Sequence, residues 1–294
     1  MEGNIITTLV LPLSLAFIMM GMGLSLTVDH FKRVVVEPKA ISLGIVCQIL
    51  LLPAATWGLI LAFGISAEMA VGFMILAACP GGATSNIFSY HAKGDTALSV
   101  SLTAISSLIT VFSIPLIVNL ASNHFLSADA KVQLPFVETV IKIGAIVIVP
   151  VVIGMLIKRY AESVAAKLEK PISIFSVVFL FLIILSLIIR EKDLLVEQMP
   201  LLGPYAVIMN LLTMALGYGV GKMFVLTNQQ NRTIAIEVGI QNGTLAIVIA
   251  SSILQQPTLS IPSVVYSILM FFTAAGLAVY SKSRGGSELE QKES

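Results

Sequence analysis

Apolar runs of about 18 residues or more recur along nearly the whole chain, separated by short polar stretches. As helices, runs of this length match the hydrocarbon thickness of a bilayer. Nine spans are predicted, near residues 5–26, 38–63, 67–92, 96–120, 135–157, 171–189, 200–226, 232–254 and 262–280. Many open on a proline, which the first helical turn tolerates because its backbone donor is free anyway. The first span follows Glu2 with no basic n-region and no small-residue cleavage site, so it reads as a retained helix. The stretch 281–294 is polar and is predicted to be a disordered cytoplasmic tail. The fold class is therefore an all-α polytopic membrane protein, with residues 1–280 as a single transmembrane domain.

Two spans are interrupted. The third carries Cys79-Pro80-Gly81-Gly82 near its centre, and the eighth carries Gln241-Asn242-Gly243. Proline removes a backbone donor and glycine weakens a helix, so both segments should open there. They lie five spans apart, an odd number, and so run in opposite directions. Paired breaks in an inverted arrangement point to the binding site of a secondary transporter, the plainer alternative being two independent kinks.

The polar residues inside the spans cluster around these breaks. Glu237 is an acid in an otherwise apolar run, where such a group costs at least ~2.5–3.5 kcal/mol unless something cationic or wet meets it. Gln241 and Asn242 follow it. Thr84, Ser85, Asn86 and Ser89 follow the first break. Ser99 and Thr103 sit one turn apart on the fourth span, and Gln48 is a lone amide in the second. Hydroxyl, amide and carbonyl oxygens around one carboxylate suit a hard cation, and no His and Cys cluster suggests zinc or copper. Opened backbone frees carbonyls for the same use, and half-helix N-termini can face an anion. The alternatives are a Glu237 kept protonated by burial, which would suit proton coupling, a Gln48 making an ordinary interhelical hydrogen bond, and a Ser99 and Thr103 bonded to their own backbone. Glu138 and Lys142 form an i,i+4 pair, although Lys142 could instead attract an anion at the mouth.

Composition narrows the class. The chain is 57% hydrophobic and 11% charged, against about 25% charged in soluble domains. A net charge of +1 implies no nucleic-acid partner. Cys47 and Cys79, both in apolar runs, form no disulfide framework. Of the seventeen Lys and Arg residues, thirteen (Lys32, Arg33, Lys39, Lys93, Lys158, Arg159, Lys167, Lys170, Lys222, Arg232, Lys282, Arg284, Lys292) fall in odd-numbered loops and the C-terminal stretch, while Lys131, Arg190 and Lys192 fall in even-numbered ones. Positive charge stays cytoplasmic, which puts the N-terminus outside and the C-terminus inside a cell inner (plasma) membrane.

The run Cys79-Pro80-Gly81-Gly82-Ala83-Thr84-Ser85-Asn86, then Lys93-Gly94-Asp95-Thr96-Ala97-Leu98-Ser99 and Thr103, resembles the signature of the bile acid:sodium symporter family. Glu237-Val238-Gly239-Ile240-Gln241-Asn242 resembles its second signature. The likeness covers nearly the whole chain. It implies a panel (about 1–30 and 135–190; spans one, five and six) and a core (about 38–120 and 200–280; the other six spans). It implies a four-plus-five inverted repeat, as if the chain starts at the second helix of the five-plus-five members, and two crossing broken helices. It also implies two sodium ions. By motif, Ser85, Asn86, Ser99, Thr103 and Glu237 hold the first. Gln48, Glu237, Val238, Ile240 and Gln241 hold the second, Val238 and Ile240 through backbone carbonyls. An organic anion, bile-acid-like or a small carboxylate, would occupy the cleft between panel and core at Thr84, Asn242 and Gly243. The family often has a hydroxyl directly after the two glycines. Here Ala83 stands there, which leaves substrate contacts at this turn open but not the sodium ligands.

The expected function is sodium-coupled import of an organic anion by alternating access, in a monomer embedded in lipid. One alternative keeps the fold but exports a metalloid or weak acid on protons, with Cys79 as a soft ligand. An intramembrane hydrolase would need His91 to pair with Ser85 or Ser89, and no third orienting group or nucleophile-turn motif accompanies them. A receptor that does not transport would want a sensory domain, and none is visible.

Overall fold

The computed structural model describes residues 5–293. A π-helical turn (Ile6–Val10) leads into α1 (Leu11–Ser25), followed by α2 (Val28–Val36) and α3 (Pro38–Val46). A second π turn (Cys47–Leu51) joins α3 to α4 (Leu52–Phe63). Next come α5 (Ala67–Ala78), α6 (Thr84–His91), α7 (Thr96–Phe125), α8 (Phe136–Tyr160), α9 (Glu162–Arg190) and α10 (Lys192–Met223). The chain closes with α11 (Asn228–Gly239), α12 (Gly243–Val248), a third π turn (Ile249–Ile253), a 3-10 turn (Pro257–Ser260) and α13 (Ile261–Glu293).

Among the described residues, six segments are long and apolar enough to cross a bilayer: Thr7–Ser25, Pro38–Phe63, Thr96–Phe125, Phe136–Tyr160, Lys192–Met223 and Pro257–Val279. Three shorter apolar helices accompany them, Ala67–Ala78, Val178–Arg190 and Gly243–Ile253. Ala67–Ala78 and Gly243–Ile253 each adjoin one of the breaks expected from the sequence. The chain is thus polytopic and helical.

The sequence left the stretch after the first span as a loop, but it folds as α2. Thr27 is its N-cap, and His30 Nδ1 accepts from the Thr27 backbone at 3.0 Å, closing a capping box. Pro171 and Pro200 do not open helices, as the sequence suggested, but lie inside α9 and α10. Each helix begins about two turns earlier on a polar stretch. A proline there costs one backbone bond, which a helix with a packed continuation can absorb. In the same way α13 continues through 281–293, the stretch read as a tail. The side chains there, and Ser294, lie outside the described residues.

Two groups of helices can be distinguished by packing. α1 lies along α8 and α9, with Phe17 edge-on to Phe175 at 5.2 Å. The second group is organised around α5, whose residues Met69 to Ala78 are all buried. A helix that is apolar on every side belongs in the middle of a bundle. Tyr205 of α10 packs its ring, tilted by 49°, against Phe73 at 4.3 Å and donates to the Thr56 carbonyl at 3.0 Å, tying α10 to α5 and α4. α10 also packs on α11 and α13. At one end of this group Asp95 caps α7 through Leu98 N at 2.9 Å and receives Arg33 at 3.3 Å. Arg33 also pairs with Glu37 at 2.5 Å, and Gln230 at the start of α11 reaches Glu37 at 3.3 Å. The ends of α2, α7 and α11 are therefore held by one polar cluster.

Candidate functional site

The two breaks meet. α5 stops at Ala78 and α6 starts at Thr84, while α11 stops at Gly239 and α12 starts at Gly243. Between them, Gly82 N donates to the Ile240 carbonyl at 3.2 Å and Asn242 N donates to the Pro80 carbonyl at 2.9 Å. These bonds form one antiparallel rung with Gly81 opposite Gln241. Backbone groups released by each broken helix are thus satisfied by the other, as an interior without water requires.

Glu237 lies on the last turn of α11, beside this rung, and is only 2% exposed. Its Oε2 accepts from Ser99 Oγ at 2.8 Å, and its Oε1 accepts from Thr103 Oγ1. Ser85 Oγ faces the same carboxylate and lies 3.4 Å from Thr103 Oγ1, while Ser89 donates to Ser99 at 3.1 Å. Among the described residues no Lys or Arg pairs with Glu237. No group of three or more His, Cys, Asp or Glu gathers among them either. Asn86 follows Ser85 on α6, and its buried Oδ1 has no hydrogen-bond partner. α5, α6, α7 and α11 thus converge on one acid ringed by neutral oxygens. This arrangement also needs Gly81, because a Cβ there would overlap the Glu237 carboxylate.

A second polar group adjoins the first. Gln48 lies in the π turn Cys47–Leu51, an extra residue in the helix that aims its side chain at the crossing. Its Nε2 donates to the Cys79 carbonyl at 3.1 Å and to Gln241 Oε1 at 2.8 Å. Gln241 Nε2 donates to the Val238 carbonyl at 2.7 Å. The Ile240 carbonyl is taken up by the rung. Gln48 Oε1, like Asn86 Oδ1, is buried and unpaired. An unpaired buried oxygen is uncommon and calls for a partner of positive charge or a donor. These two fall in the two groups that the resemblance assigned to cations. The donor set fits sodium: hard oxygens, one negative charge, and acceptors left over.

Three expected anion contacts are also placed. Thr84 is half-buried at the start of α6. Asn242 is 7% exposed, and its Oδ1 caps α12 through Leu245 N at 3.0 Å. Gly243 is buried, and a Cβ there would strike Ser267 Oγ. Lys142 pairs with Glu138 at 2.6 Å. Cys79 is fully buried and its Sγ donates to the Ile75 carbonyl at 3.3 Å, so it is a packed filler in this structure. His91 is exposed and stacks edge-on to Tyr90 at 5.5 Å, with Ser85 and Ser89 engaged elsewhere.

The sequence reading missed Asn210 and Tyr266. Asn210 Nδ2 donates to the Gly239 carbonyl at 2.7 Å, and Tyr266 OH donates to the same oxygen at 2.9 Å. They hold the end of α11 between the carbonyls of Val238 and Ile240. The signal for Asn210 was present, since it is a lone amide in the apolar span 200–226, like Gln48 in the second span.

Comparison with known proteins places the chain among transporters of one family. The Sodium Bile acid symporter family matches residues 12–198, more than half of the chain. A Bacillus subtilis protein named as an uncharacterized sodium-dependent transporter is 30% identical over 266 residues, 90% of this chain and 81% of its own length. A rice protein named as a probable chloroplastic sodium/metabolite cotransporter is 28% identical over 271 residues, and the aligned part covers 63% of its length. The rabbit ileal sodium/bile acid cotransporter is 30% identical over 243 residues, 82% of this chain and 69% of its own. These relatives are transporters or cotransporters, not enzymes. By the extent of these matches, the protein belongs to the Sodium Bile acid symporter family.

Proposed function

We propose that this chain is a sodium-driven symporter that imports an organic anion. The observation that carries this reading is the buried Glu237 carboxylate, held by the hydroxyls of Ser99 and Thr103 and facing Ser85, with the unpaired Asn86 Oδ1 on the same short helix. Sodium binds first, at Ser85, Asn86, Ser99, Thr103 and Glu237, and a second ion binds at Gln48, Gln241, Glu237 and the Val238 and Ile240 carbonyls. Neutralising the acid lets the two broken helices stay crossed, which completes an anion site beside Thr84, Asn242 and Gly243. α1, α8 and α9 act as the panel, the remaining helices as the core, and the core rocks against the panel to expose the site on alternate sides. Nine spans in a four-plus-five repeat, with the N-terminus outside, place the basic loops in the cytoplasm. The sodium gradient and the membrane potential, ~2.3 kcal/mol per charge per 100 mV, supply the work.

Uptake into proteoliposomes tests this. Organic acids should accumulate on an inward sodium gradient and accumulate more under an inside-negative potential. Accumulation on a pH gradient without sodium would instead support the proton-coupled exporter. That alternative also requires Cys79→Ser to destroy transport, whereas a buried filler tolerates serine with little loss of rate.

A further inference from the structure

A cavity of about 230 Å³ opens where α1 and α9 meet the third π turn and the 3-10 turn after it. Its walls are mostly apolar, with Leu11, Phe179, Ile183 and Pro257 among them. Four polar residues interrupt them, Thr7, Ser186, Arg190 and Ser251. Ser251 Oγ is buried and has no hydrogen-bond partner. Arg190, the last residue of α9, lines the cavity with its side chain half-exposed, and Glu191 meets its Nε at 3.3 Å. The two terminal nitrogens of the guanidinium are therefore unpaired among the described residues. Their fork matches the two oxygens of a carboxylate. The cavity joins helices from both packing groups and, by the loop charges, lies toward the outer side. Lys142, the basic residue that the sequence offered for this purpose, is not among its lining residues.

We infer that this cavity is an outer recognition site for a small monocarboxylate with a compact apolar body, read by Arg190 and Ser251. The inference rests on the symport reading and names its cargo class. Size sets the class. At roughly 30 Å³ per water-sized group, the cavity holds about eight such groups. That is enough to take in a branched short-chain acid whole, whereas a four-ring steroid would leave most of its body outside. Charge sets it as well, because the single guanidinium at the cavity's edge pairs with one carboxylate.

The test uses the full chain in detergent, with thermal shifts read for 4-methylpentanoate, its uncharged amide and taurocholate, each with and without sodium. The acid should stabilise the wild type, and the amide and taurocholate should not. Arg190→Gln should raise the half-saturating acid concentration about tenfold or more, while the shift given by sodium alone stays. Leu11→Trp, which fills the cavity with Arg190 intact, should weaken the acid equally. An unchanged acid response in Arg190→Gln, equal stabilisation by the amide, or no response of the wild type to the acid would each overturn the site. Stabilisation that needs Arg190 but not sodium would keep the site and contradict the sodium-coupled reading instead.

Discussion

Glu237→Ala should abolish sodium-dependent uptake and remove the rise in thermal midpoint expected of the wild type with sodium. The size of the effect follows from the charge. A cation at ~2.4 Å from a carboxylate gains on the order of 7 kcal/mol at an effective dielectric of 20. Desolvation of the ion takes back part of this, but the neutral oxygens of Ser85, Ser99 and Thr103 cannot replace it. A loss of several kcal/mol is at least ~10³-fold in affinity. The substitution itself need not unfold the chain. It removes a buried charge that nothing in the described structure neutralises, and leaves the Ser99 hydroxyl short of its acceptor at about 1–3 kcal/mol, while Thr103 keeps the Ser99 carbonyl at 3.1 Å. Glu237→Gln keeps the shape and loses only the charge, so the two variants should fail alike. A Glu237→Ala protein that still concentrates substrate on a sodium gradient would show that the coupling ion binds elsewhere.

Gly81→Ala is the second large effect, and its cause is steric. The new methyl would overlap Glu237 Oε1 and lie 3.0 Å from the carboxylate carbon. The backbone can yield only by tenths of an ångström, because Gly82 N and Asn242 N tie the two breaks to each other, and the Gly81 overlap is larger than that. The carboxylate must turn out of place, and sodium half-saturation should rise by ~10²-fold or more. Gly82→Ala is the control. Its methyl would meet the Gln241 carbonyl at 3.2 Å, a contact that a few tenths of an ångström relieves. It should cost less than about tenfold. Equal sodium dependence in the two alanine variants would mean that the Gly81 contact does not shape the ion site.

The buried polar residues were readable in the sequence because hydrocarbon makes them expensive. Glu237, Gln48 and the two breaks stand out against apolar surroundings for that reason alone, and the structure gathers all of them at one crossing. Elements whose cost is small were not readable. α2 is nine residues of mixed polarity and is fixed by a local capping box. Pro171 and Pro200 sit inside helices because one missing hydrogen bond does not outweigh continued packing. The π turn that carries Gln48 has no compositional mark. Asn210 was overlooked although it obeys the same rule as Gln48. Arg190 looked like an ordinary loop cation, since only the meeting of α9 with the third π turn gives it a cavity to face.

Direct binding of radioactive sodium to the purified chain bears most closely on the central claim that sodium neutralises Glu237. Saturable binding to the wild type is expected, with none above background in Glu237→Gln at concentrations that fill the wild type. Wild-type levels of bound sodium in Glu237→Gln would contradict it.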